Sequence, residues 1–146
     1  MERKEPISLF EQVPALDPEA DDEQNMIEKR RELPQDGTIE NIWLRNYVGH
    51  GFDLRYDVVV NHEGNERSLV THLGKEFITG DDDTRDIDLR EEVREGDEII
   101  IRAWNEETEH VYHANASVSV DYEAGLMGFI ETVLDALDFL PFGGDS

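Results

Sequence analysis

The chain has 146 residues, 36 of them acidic against 13 basic, a formal net charge of −23 and no cysteine. That balance excludes a phosphate-gripping surface and with it direct nucleic-acid binding. The missing thiols exclude disulfides, thiolate catalysis and cysteine-based zinc sites. One domain with a real core plus appendages fits this length. The first residues, MERKEPISLFEQ, lack an apolar signal core, and no stretch is as long as a membrane span; a soluble product made in the cytoplasm is expected.

Residues 1–16 read as an arm. Ile7, Leu9, Phe10, Val13 and Leu16 fit no clean period, and Pro6 and Pro14 rule out a continuous helix. Asp17-Pro18 then predicts a short surface helix, with Asp17 as N-cap and Pro18 at the first helical position. Acids from Glu19 to Glu23 and the basic run Lys29-Arg30-Arg31 suit the two ends of its dipole, and Pro34 with Asp36-Gly37 stops it. Segment 1–37 is therefore expected to lie outside the β domain, as an acidic arm and spacer.

From Thr38 to Tyr122 the pattern is β, and residues 38–123 form the expected domain. Ile39 to Tyr47 reads as a strand, Gly49-His50-Gly51 as a turn, and Leu54, Tyr56, Val58 and Val60 as one face of the next strand. A hairpin loop at Asn61–Asn65 precedes a return strand from Ser68 to Leu73, and Phe77 and Ile78 plug one end of the core. The segment Ile87 to Trp104 reads as a hairpin around Glu95-Gly96-Asp97, where Gly96 accepts positive φ. Its second strand, Glu98 to Trp104, is apolar on both faces and belongs at the centre of a sheet. Ala114 to Tyr122 alternates as a last strand. Six or seven short strands with polar turns indicate an antiparallel β-sandwich.

The run from Ile87 through Arg94-Glu95-Gly96-Asp97 to Ile101 resembles the middle hairpin of immunoglobulin-like and fibronectin-like modules. The antibody Cys-Trp-Cys framework is absent, so the resemblance implies a fold class and nothing finer. The acid excess, spread through every segment beside only Lys4, Lys29 and Lys75 as lysines, resembles proteins of extreme halophiles, haloarchaea and their viruses above all. Carboxylates hold water and cations at such a surface, and molar salt screens their repulsion.

Residues 124–146 break the β pattern. Leu126, Phe129, Ile130, Val133, Leu134, Leu137 and Leu140 recur at three and four, predicting an amphipathic helix over 125–140. Such a helix covers an open face of the sandwich or meets other copies in a bundle or groove. Its polar side carries only acids, which disfavours a membrane surface.

Chemistry-bearing clusters are few. Asp81-Asp82-Asp83 offers ligands for a hard cation, chiefly through Asp81 and Asp83. EF-hand spacing fails there, because Arg85 and Asp86 fall where a ligand and a glycine belong, and a solvated acidic loop is the plainer reading. On a strand, His110 and His113 face opposite ways and cannot chelate together. No nucleophile elbow, phosphate loop, dinucleotide glycine pattern or zinc-protease motif occurs. The sequence therefore indicates a non-enzymatic assembly protein without cofactors. A virion component of a haloarchaeal virus, either capsid decoration or turret, or head–tail connector or tail protein, is the expected role. Its partners are other protein subunits, contacted through Ile7, Leu9 and Phe10 in the arm and Phe129, Ile130, Val133 and Leu137 in the helix. The alternative is a cytoplasmic cation- or carbohydrate-binding module using the Gly49–Phe52 and Gly80–Asp83 loops.

Overall fold

The computed structural model describes residues 4–47, 49, 52–72 and 77–122. Strands make up 63% of them, so the protein is mainly β. Among the described residues nine strands occur in this order: β1 (Lys4–Val13), β2 (Met26–Glu32), β3 (Gly37–Asn46), β4 (Leu54–His62), β5 (Asn65–Ser68), β6 (Ile78–Thr79), β7 (Asp83–Val93), β8 (Glu98–Asn105) and β9 (Tyr112–Asp121). A single turn of helix, α1 (Leu69–His72), follows β5.

All pairings are antiparallel. The first sheet has the order β1-β9-β3-β7, and the second β2-β8-β4-β5 with β6 also on β4. Alternation sends one face of each strand into a shared core. Ile7, Leu9, Ile42, Leu44, Val118 and Val120 from the first sheet meet Leu54, Tyr56, Val58, Ile99 and Ile101 from the second. The two layers thus form a β-sandwich. Tyr56 is fully buried, and its hydroxyl accepts a 3.0 Å hydrogen bond from the Asn115 amide across the core. Burial pushes the Tyr56 hydroxyl pKa up to about 12. At the mouth of β3, a Cβ on Gly37 would lie 2.9 Å from the Tyr122 ring, so only glycine lets these segments close.

The central position of β8 agrees with its two apolar faces: it lies between β2 and β4, and Ile99, Ile100 and Ile101 are all 0% exposed. Four expectations require correction. The arm is a strand: Ile7 and Leu9 alternate with Pro6, Ser8 and Phe10, and β1 pairs with β9 throughout its length. Segment 1–37 therefore contributes β1 and β2 to the two sheets and is no appendage.

The helix expected after Asp17 is a tight loop followed by β2. The Asn25 side chain, 7% exposed, takes the Asp17 amide on Oδ1 at 2.8 Å and donates to the Asp17 carbonyl at 2.9 Å. Asp17 and Asp21 side chains accept from the amides of Glu19 and Gln24. Such local bonds compete directly with a helix ladder. The return strand after the Asn61–Asn65 loop ends at Ser68, where Leu69 and Val70 turn into the core as α1.

Finally, Ile87 to Trp104 is not a hairpin. Its two strands lie in different sheets, β7 beside β3 and β8 between β2 and β4. The turn itself forms as expected, with Gly96 at φ 88°. Its amide donates to the Leu33 carbonyl and the Leu33 amide to the Asp97 carbonyl, which ties the turn to the end of β2. The predicted helix over 125–140 lies outside the described residues.

Candidate interaction face

The two outer faces of the sandwich differ in chemistry. On the second sheet, β2, β8, β4 and β5 present Glu28, Arg30, Arg102, Asp57, Glu66 and Glu98 above the buried Val59 and Ile100. Arg102 donates through Nε to Glu28 at 2.6 Å and through Nη2 to both Glu66 oxygens at 3.0 and 3.1 Å. Arg30 reaches Glu28 at 3.1 Å and Glu98 at 3.5 Å. Partial burial pushes the Glu28 carboxyl up, but the hydrogen bonds from Arg102 and Arg30 outweigh it and hold the group below its ordinary value. The groove above this layer, about 740 Å³, is bordered by Asp22 and Glu23. Its arginines are engaged by its own glutamates, so this is a self-satisfied ionic layer.

The outer face of the first sheet has little charge over two strands. β1 turns out Pro6, Ser8, Phe10 and Gln12, and β9 turns out His113, Asn115, Ser117 and Ser119. Trp43 on β3 sits in register with Ser117, and Asn41 with Ser119. Phe10 is 62% exposed and packs edge-on against the His113 ring, centroids 4.1 Å apart. Tyr47 lies 6.3 Å from the same ring and its hydroxyl accepts from Asn115 Nδ2 at 3.0 Å. The Arg45 guanidinium stands 5.6 Å from the Tyr47 centroid. Charge returns with Arg45 on β3 and on β7, where Asp86 and Asp88 hold the Asn41 amide. In a chain of net charge −23, an aromatic-bearing strip with no carboxylate on eight successive outward positions is the feature that composition does not explain.

No protein-family model matches this chain, and no curated protein does. Among solved structures it is similar to the infectious bursal disease virus VP2 subviral particle, with TM-score 0.42 and 11% identity over 82% of this chain and 32% of that one. The chain spans about a third of that protein's length.

Of the expected contact residues, Ile7 and Leu9 are 2% and 1% exposed and belong to the core, leaving Phe10 as the accessible member. Phe129, Ile130, Val133 and Leu137 lie outside the described residues. Asp81 and Asp83 each have a partner elsewhere in the chain. Asp81 Oδ1 accepts from the Gly49 amide at 3.1 Å, while Asp83 takes Asn46 Nδ2 at 2.9 Å and has Arg85 Nε at 3.0 Å. Asp82 pairs with Arg45 at 2.8 Å. Each carboxylate of this loop therefore has a local partner. Instead, Glu107, Glu109 and His110 bring one ligand atom each to within 4.8 Å of the others on the exposed β8–β9 loop.

Reading residue by residue does not reveal the convergence of Phe10, Tyr47 and His113, because strand register brings them together. A signal was nonetheless present: residues 6–10 and 111–120 contain no charged side chain in a chain that is one-third charged. Among the described residues, no helix is long and apolar enough to cross a membrane.

Proposed function

We propose that this chain is a non-enzymatic structural protein that assembles with other protein subunits through the outer face of β1, β9 and β3. The observation that carries this reading is the uncharged strip with Phe10 at its rim. Interface centres are depleted of charge and enriched in aromatic side chains, and elsewhere this surface repels anything as acidic as itself. The finer proposal is a virion component of a haloarchaeal virus, capsid decoration or turret, or connector or tail. Its support is the acid-rich, lysine-poor composition together with the absence of any catalytic motif. An immunoglobulin-like description of the sandwich belongs to the same proposal, supported by the β7–turn–β8 crossing from one sheet to the other.

Light scattering after gel filtration in molar KCl tests it. The expected result is a full-length mass above that of one chain, lowered by a Phe10→Glu/Trp43→Glu pair that leaves the β circular dichroism unchanged. Val133→Asp with Leu137→Asp, compared alongside, reports the share contributed by the C-terminal apolar stripe. A full-length protein that stays monomeric at every concentration would sink the proposal.

A further inference from the structure

We infer that β1 is a joint between two copies of this chain, strand to strand and antiparallel, centred on Leu9; the inference rests on the assembly reading above and names its partner. A sandwich has exposed strand edges, and folded proteins guard them with charge, brevity or proline. Three of the edges here are guarded. β7 carries seven charged residues in eleven and β2 five in seven. β5 is four residues long, with Glu66 and Arg67 already held by Arg102 and Glu91. β1 is different. It runs for ten residues, pairs only with β9 among the described residues, and is uncharged from Pro6 to Phe10. Within that uncharged run its one guard is Pro6, which removes a single donor.

Charge selects the occupant. Against β1, either β2 or β7 of another molecule would set a row of charged residues beside Phe10, whereas a second β1 brings none to the centre. Charge also selects the register, given that paired residues must share a face if both cores are to stay inside. Centring on Ser8 would oppose Glu5 and Glu11 twice. Centring on Leu9 opposes Glu5 to Val13, Glu11 to Ile7 and Ser8 to Phe10, and no like charges meet. Two four-stranded sheets become one of eight about a two-fold axis. Because each chain carries −23, the joint forms at molar salt and weakens as salt is removed.

The chain has no cysteine, so introduced thiols report the register without background. Ser8→Cys and Phe10→Cys proteins are mixed in molar KCl under mild oxidation, and each is also oxidised alone. The expected result is a cross-linked dimer in the mixture and none from Ser8→Cys alone. Ser8→Lys with Phe10→Lys, two exposed outward positions that oppose each other across the joint, sets like charges face to face twice and should weaken the dimer at least about tenfold by light scattering, about 1.4 kcal/mol. Its β circular dichroism should be unchanged. Cross-linking of Ser8→Cys with itself overturns the register. A higher mass that survives Ser8→Lys/Phe10→Lys but is lost in Trp43→Glu or Val133→Asp/Leu137→Asp overturns the joint while leaving the assembly reading intact. Monomers throughout overturn both.

Discussion

Arg102 shows how single side chains settle this fold. At 19% exposure it ties Glu28 of β2 and Glu66 of β5 across the strands between them, roofing Ile100 and Val59. Two neighbouring acids respond to pH in opposite senses. Glu28 is held below its ordinary value, so its contribution is present at neutral pH and fades as pH falls through the carboxylate range. Burial raises Asp57, with the Ser68 hydroxyl bond offsetting part of the shift. Its contribution is complete below the unfolded value and is lost as pH rises through the folded one. Urea unfolding across the acid range should therefore find Glu28→Gln less stable than the parent at neutral pH, by under about 1 kcal/mol at so exposed a pair, with the gap closing in acid. Asp57→Asn should be the more stable protein at neutral pH and lose that advantage in acid. Parallel curves for either variant would contradict the assignment. None of this was legible in the sequence, where Arg102 is one arginine of ten and its partners lie 36 and 74 residues away.

Among the elements, β1 is the one whose status changes most. Its alternation was present in the sequence, but Pro6, Pro14 and the outward Phe10 obscured it, because local patterning reports burial and says nothing of pairing. Leu9 is 1% exposed between the sheets, and Leu9→Ala should cost about 2–5 kcal/mol in urea unfolding. A loss below about 0.5 kcal/mol would restore the arm reading. Strands β3, β4 and β9 were readable because period-two alternation survives in each, and β8 because a short run apolar on both faces marks a central strand. The β7–β8 crossing was not. Its turn has hairpin chemistry, and the hydrogen bonds that tie it to Leu33 and Asp36 come from residues remote in sequence. Similarly, the dipole-matched charges after Asp17 imitate a helix, while Asn25 closes a loop that no periodicity announces. The interaction face was half legible: its charge gaps show in the sequence, but the register joining them does not.

For the whole molecule, charge sets the working conditions. With −23 on a sandwich whose arginines are largely paired, residual repulsion acts between acids spread over the surface. The screening length falls from about 10 Å at 0.1 M salt to about 3 Å at 1 M. The thermal midpoint should thus rise steadily from dilute buffer into molar KCl, and a flat profile would remove the halophilic reading. Sheet order has a separate, kinetic consequence. β1 closes on β9, with partners between 99 and 117 positions apart along the chain. A ribosome that has released the first strand must translate through Tyr112–Asp121 before that strand has anything to hold. Until then Ile7, Leu9 and Val13 lack their β9 cover, so the first sheet closes late, through contacts of long sequence separation. In that interval the apolar face of the nascent strand needs cover of the kind a chaperone supplies.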